Sequence, residues 1–262
     1  MSRLERALLP WLCALGLLVL WSIWARGGGG GATDFPTPLE TVRGFEHLFK
    51  TPPGGRAPLI LQHVVSSVFR TTIGFLAAVA LGVPLGIFLG WSARAHAAFN
   101  WLVQLLRPIS AIAWIPIAIM IFRGDDLRSI FLIFYAAFFP IVVSTSSAVQ
   151  AIPTMYLRAA RNFGLGTLQL VQLVVLPAAL PQIVLSLRVA AGISWIVVVA
   201  AEMVAVRDGL GWLIIDARYQ GARTDLIVGT MLIIGVIGVC IDALLRRLER
   251  LPRVSWGYPK RG

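Results

Sequence analysis

Charge is scarce in this chain. Only 13% of its 262 residues are Asp, Glu, Lys or Arg, against roughly 25% in an average soluble domain. Cysteine is nearly missing. The two present, Cys13 and Cys240, form neither a disulfide framework nor a metal-ligand spacing, and both fall in apolar runs, where they read as packing residues. The three histidines, His47, His63 and His96, are far apart. No Ser-x-x-Lys or Gly-x-Ser-x-Gly nucleophile signature occurs. The nearest approach to a phosphate-binding loop is Gly44-Phe-Glu-His-Leu-Phe-Lys-Thr51. It puts Phe49 where a glycine must stand for backbone N–H groups to close on an anion. Catalysis, metal binding and nucleotide binding by this chain are therefore not expected, and any energy source is a partner or an ion gradient.

Apolar sequence takes the place of all this. Hydrophobic residues make up 58% of the chain, and the mean hydropathy is +0.81. A spanning helix needs about 20 mainly apolar residues. Six windows qualify: 7–24, 64–90, 101–122, 129–148, 181–204 and 226–245. The runs are continuous rather than alternating, which disfavours a transmembrane β-barrel. The expectation is one all-α, polytopic domain over 1–262, with six transmembrane helices. The first window has a basic start, but no small-x-small cleavage site follows it, so it reads as a retained span rather than a signal peptide.

The net charge of +11 does not imply nucleic acid. Arg246, Arg247, Arg250, Arg253, Lys260 and Arg261 crowd behind the last span. That is the positive-inside signal and puts the C-terminus in the cytoplasm. Six spans return the N-terminus, with Arg3 and Arg6, to the same side. An external segment then covers about 26–58. Its Gly28–Gly31 run reads as flexible, and Pro36, Pro38, Pro52 and Pro53 break it. Between them 41–49 is expected to form a short helix with Phe45, Leu48 and Phe49 on one side, whose acid and base content suits a bilayer surface and a docking surface equally.

The second span carries Gly74, Ala78, Gly82, Gly86 and Gly90 four residues apart on one face. Small-xxx-small faces let helix backbones approach closely in lipid, so this reads as a tightly packed central helix, bent at Pro84. The third span contains Arg107-Pro-Ile-Ser-Ala-Ile-Ala-Trp-Ile-Pro116. Two readings stand: a broken helix lining a cavity, or a simple proline kink. After the fourth span, 149–180 is rich in polar residues. It reads as a helix over 156–163, a stop at Gly164, a turn, and helix again over 168–175. Pro177 and Pro181 are expected to open the fifth span, where a missing N–H is tolerated.

The sequence Arg158-Ala-Ala-Arg-Asn-Phe-Gly164 followed by Val174-Val-Leu-Pro177 resembles the cytoplasmic EAA loop of binding-protein-dependent ABC transporter permeases. Leu-Arg-Pro…Ala-Trp-Ile-Pro in the third span resembles the nitrate, sulfonate, taurine and bicarbonate branch. So do Leu187-Arg-Val-Ala-Ala-Gly192, Val199-Ala-Ala-Glu-Met203 and Asp208-Gly-Leu-Gly-Trp-Leu213. The resemblance implies a type I (MetI-like) importer permease in a bacterial inner membrane, with a coupling loop at about 149–180. Coupling would fall to Arg158, Ala159, Ala160, Arg161, Phe163, Gly164, Leu176 and Pro177. The implied partners are a second copy, two ABC ATPase subunits carrying ATP and Mg, a periplasmic or lipid-anchored substrate-binding protein and membrane lipid. The implied cargo is a small oxyanion. Arg158 departs from the family's usual Glu.

Charges inside spans are costly and mark either a partner or a path. Arg70, Arg188 and Glu202 qualify, and Arg70 and Glu202 are placed to pair. Ser110, Trp114, Ser194 and Trp195 complete the candidates for the pathway. Two rivals carry over: an ion-gradient-driven secondary transporter, which needs inverted repeats, and an importer for a vitamin precursor or an aromatic acid.

Overall fold

The computed structural model describes residues 3–27, 35–50, 58–221 and 223–249. The expectations on Gly28–Gly31, Pro52, Pro53, Arg250, Arg253, Lys260 and Arg261 lie outside these residues, as do those on the side chains of Arg3 and Arg6. Among the described residues every regular element is helical. The elements are α1 (Arg3–Gly27), α2 (Pro38–Leu48), α3 (Leu59–Trp91), α4 (Ala93–Leu106), a 3₁₀ turn (Ala111–Trp114), α5 (Ile115–Ile121) and α6 (Asp125–Gln150). They continue with α7 (Thr154–Asn162), α8 (Thr167–Leu170), a π turn (Val171–Val175), α9 (Leu176–Ala205), α10 (Leu210–Tyr219) and α11 (Thr224–Glu249).

The small-residue stripe sets the centre of the bundle. Cβ atoms added at Gly74, Gly82, Gly86 and Gly90 would meet Ile133, Ile141, Thr145 and Val149 of α6, at 2.6 Å for the last two. Each partner lies 59 residues further on, so α3 and α6 run parallel in constant register. No side chain separates the two backbones there, the close approach that small-xxx-small faces permit. On its other flank α6 packs against α9, which runs antiparallel: Leu132 clusters with Ala201 and Ala205 at one end, and Ala148 with Ala179 at the other. α11 is antiparallel to α9, since Trp195 Nε1 donates to Ile234 O at 3.0 Å and Arg188 to Asp242 at 2.6 Å.

Parallel α3 and α6 force the chain to return between them. Residues 92–124 make that crossing, and of the two readings of the third span it is the broken helix that is found. The path breaks at 107–110, and its two halves, Ala93–Leu106 and Ala111–Ile121, are bent by 82°. Pro108 lacks the N–H that would continue the ladder to Gln104 O, and the Leu106 carbonyl accepts from Ile109 N–H at 3.2 Å and from Tyr135 Oη at 2.7 Å instead of continuing the α-helix. Four unbroken helices, α3, α6, 167–205 and α11, are long and apolar enough to cross a membrane, and the bent pair makes a fifth crossing. α1, with a described apolar stretch Trp11–Arg26, is compatible with a sixth.

Three expectations need correction. The fifth span does not open at Pro177 or Pro181: helix runs from Thr167 to Ala205 with Pro181 inside it. The π turn Val171–Val175 ends one residue before Leu176-Pro177, and Leu176 N–H reaches back to Val171 O, so the helix widens just ahead of the residue that has no N–H to give. The short helix expected over 41–49 is α2, and the three apolar residues do not share one side: Leu48 and Phe45 pack with the α11 end of the bundle, while Phe49 faces away. Cys13 and Cys240 are exposed and so are not packing residues within the chain; both lie on outward faces of α1 and α11. Gly44 and its neighbours are helical, which leaves no loop to cradle phosphate. Thr37 and Glu40 form a capping box at the start of α2, with Thr37 N–H donating to Glu40 Oε2 at 2.7 Å. That backbone hydrogen bond holds the Glu40 carboxyl below its usual range.

Candidate functional site: a capped surface helix and a buried charge clasp

The bundle has two chemically different ends. At one, α7 lies across the ends of α6 and α9. Its inward side is Leu157 and Ala160, which join Val149, Ile152, Leu170, Val175 and Ile183 in one apolar cluster. Its outward side presents Met155, Tyr156, Arg158, Ala159, Arg161 and Asn162, all exposed. The two alanines therefore divide: Ala160, 6% exposed, anchors the helix to the bundle, and Ala159 faces out. Phe163, 87% exposed, stands at the tip.

The stop after Phe163 is a Schellman motif. Leu165 N–H donates to Ala160 O at 3.3 Å and Gly164 N–H to Arg161 O at 2.9 Å. Gly164 has φ +78°, a conformation that costs an L-residue roughly 1–2 kcal/mol. A Cβ there would meet nothing within 4 Å, so backbone conformation, not space, requires this glycine. Leu176 and Pro177 start α9 on the same end with exposed surfaces. A recess of about 470 Å³ beside them is lined by Ser147, Pro153, Tyr156, Ala178 and Gln182 among others.

At the opposite end lies a clasp. Arg70, 2% exposed, donates through Nε to Asp126 of α6 at 2.7 Å, through Nη1 to Glu202 of α9 at 3.1 Å, and through Nη2 to Asp208. Glu202 is fully buried. Its second oxygen accepts Ser67 Oγ–H at 2.8 Å and Gly211 N–H at 3.1 Å. The turn after α9 folds onto it: Leu210 N–H donates to Ser67 Oγ at 2.9 Å and Gly209 N–H to His63 Nδ1 at 3.0 Å. Gly209 has φ +99°, and a side chain at Gly209 or Gly211 would run into Glu202 or the α9 backbone. The Asp208-Gly-Leu-Gly pattern thus seals a buried carboxylate. Buried charge is tolerable when paired and hydrogen-bonded on every side, as here.

The other candidates divide in the same way. Arg188 bridges to Asp242 and to Glu249, at 3.0 Å for the latter. Ser194 bonds to Ala190 O at 2.9 Å and Trp195 to α11. Their polar atoms are engaged within one copy of the chain. Ser110 and Trp114 flank the break in the crossing: Ser110 is exposed and its hydroxyl accepts Ile112 N–H at 3.3 Å, and the Trp114 ring lies tilted against Tyr135 at 5.3 Å. Sequence reasoning missed Asp126 and Asp208 as partners of Arg70, because both sit at span ends, where acids are ordinary.

The apolar helices and their two contrasting ends define a polytopic membrane protein. The chain matches the binding-protein-dependent transport system inner membrane component family over residues 82–254, and it belongs to that family. The bicarbonate transport system permease protein CmpB of Synechococcus elongatus is 35% identical over 255 residues, covering 95% of this chain and 90% of the relative. The nitrate import permease protein NrtB of Synechocystis is 32% identical, covering 90% and 85%. Inward-facing MetNI methionine ABC transporter structures share the fold, with a TM-score of 0.63 over 73% of this chain and 94% of that one at 21% identity.

Proposed function

We propose that this protein is the permease subunit of an ATP-driven importer, that two copies form the pathway, and that the cargo is a small oxyanion of the bicarbonate, nitrate or sulfonate kind. The observation that carries the reading is the α7 surface, a rigidly capped helix with Phe163 standing free at its tip. An aromatic side chain held out from a fixed element suits a central anchor in a partner's groove. Two separate ATPase subunits, carrying ATP and Mg, dock there, one on each copy. The α7 end also carries Arg94, Arg158, Arg161, Arg246 and Arg247, which supports a cytoplasmic position for it and for both termini. The clasp end then faces the substrate-binding protein. Names of relatives such as CmpB and NrtB support the oxyanion cargo.

The test is co-purification of the ATPase with the permease from membranes that express both. Phe163→Asp leaves the fold intact, because the side chain touches little of its own chain. It is expected to lose an anchor worth about 2 kcal/mol or more, roughly a thirtyfold drop in retained ATPase. Arg158→Glu is a milder change, about 0–1 kcal/mol for an exposed contact. Full retention of the ATPase in Phe163→Asp refutes the docking assignment. Ligand binding by the cognate binding protein decides the cargo; a vitamin precursor or an aromatic acid bound there in place of an oxyanion overturns the cargo reading.

A further inference from the structure

The crossing formed by residues 92–124 contains three arginines, one histidine and no acid. Two of those arginines, Arg94 and Arg123, lie at its ends. The third, Arg107, lies at the break. Its depth follows from Tyr135, whose hydroxyl holds the Leu106 carbonyl. Tyr135 is ten residues from the start of α6 and fifteen from its end, roughly 15 Å and 22 Å at 1.5 Å per residue. Arg107 is therefore inside the span. It is exposed, and its side chain makes no ion pair or hydrogen bond among the described residues. That sets it apart from Arg70 and Arg188, which are paired.

Arg107 does not stand alone. His96, Asn100, Gln104 and Arg107 share one edge of α4, within an arc of about 80° at ~100° per residue. The ring of His96 meets Gln150 at 3.0 Å near the α7 end. The amides of Asn100 and Gln104 have no side-chain partner among the described residues, and Gln104 is exposed. Polar groups at this depth face protein or water, not lipid, and non-helical backbone there lines a cavity or is buried in protein. Both features coincide at 107–110.

We propose that His96, Asn100, Gln104 and Arg107 form a water-lined track from the α7 end to the break, with Arg107 the fixed cationic contact for an oxyanion in transit. The inference rests on the importer reading above and adds the contact inside the pathway. The track offers N–H donors and a guanidinium, with no carboxylate to repel an anion. A guanidinium presents a planar fork that matches two oxygens at once. Because it pairs with no acid among the described residues, its positive field is available to a passing solute.

The experiment uses the assembled complex of permease, ATPase and binding protein in inverted membrane vesicles, with Cys13→Ala and Cys240→Ala as background. Gln104→Cys is treated with sulfonatoethyl methanethiosulfonate, an anion, and with its trimethylammonioethyl counterpart, a cation. Ala93→Cys at the start of α4 reports access at the α7 end. The anionic reagent is expected to modify Gln104→Cys at least about tenfold faster than the cationic one, the scale on which a charged cleft concentrates counter-ions. Arg107→Gln should abolish that preference and Arg107→Lys should keep it. Modification of Ala93→Cys without modification of Gln104→Cys overturns the track, since its face is then closed by lipid or by the second copy. A preference unchanged by Arg107→Gln overturns the role of Arg107. The importer reading fails separately, on ATPase retention and on the cognate ligand, whatever the labelling shows.

Discussion

Arg70 shows how one side chain can organise an end of the molecule. It collects carboxylates from α6, α9 and the turn after α9, so four segments meet at one guanidinium. The energy lies less in the pairing than in what its loss leaves behind. Arg70→Met leaves Glu202 buried and without its cation, which costs about 3–5 kcal/mol. Glu202→Gln keeps a hydrogen-bond acceptor for Ser67 or Gly211 and removes the buried charge, and is expected to cost less. Thermal unfolding of the detergent-solubilised protein should rank Arg70→Met well below Glu202→Gln, with wild type above both. Equal midpoints for Arg70→Met and wild type refute the clasp. The pairing of Arg70 with Glu202 was legible in the sequence, since both are charges near the same end of their spans. Asp126 and Asp208 were not, because nothing in their local pattern separates them from ordinary loop acids.

Among the elements, the α3–α6 contact depends on the absence of side chains. At Gly86 and Gly90 even a Cβ would come within 2.6 Å of Thr145 and Val149. Gly90→Leu must therefore separate the helices or shift their register, an overpacking penalty of about 1–3 kcal/mol or more. Gly16, with nothing within 4 Å of its missing Cβ, is the control: Gly16→Leu should leave stability unchanged. Folded yield by size-exclusion chromatography is the measurement, and equal yields of the two variants count against the register. The stripe and its period were legible because small residues repeated at intervals of four fall on a single helix face, the pattern that close backbone approach requires. Its partner helix was not, since Ile133, Ile141, Thr145 and Val149 differ in size and show no complementary signature. The crossing 92–124 was half legible. Pro108 marked the break, but the choice between kink and broken span depended on Tyr135 reaching across to the Leu106 carbonyl.

At the scale of the whole molecule, the parallel α3 and α6, the antiparallel α9 and the return of α11 put Arg70, Asp126, Glu202 and Asp208 at one end and α7 with Arg246 and Arg247 at the other. Sidedness follows. With Cys13 and Cys240 replaced, Asp208→Cys should react with an impermeant thiol reagent in intact cells, and Asn162→Cys only after the membrane is opened. Labelling of Asn162→Cys from outside reverses the orientation and removes α7 from any cytoplasmic partner.

The sequence by itself determined the class: all helix and membrane-spanning. It did so because hydrophobic length, small-residue period and the Gly164 stop are local properties, readable without knowing any neighbour. Only the tertiary structure decided that Ala160 holds α7 down while Ala159 and Phe163 face out, that helix continues through Pro177 and Pro181 behind a π turn, and that Arg70 is enclosed by acids while Arg107 is left bare. Those outcomes depend on which helix lies beside which, and that is fixed by packing between residues far apart in the chain.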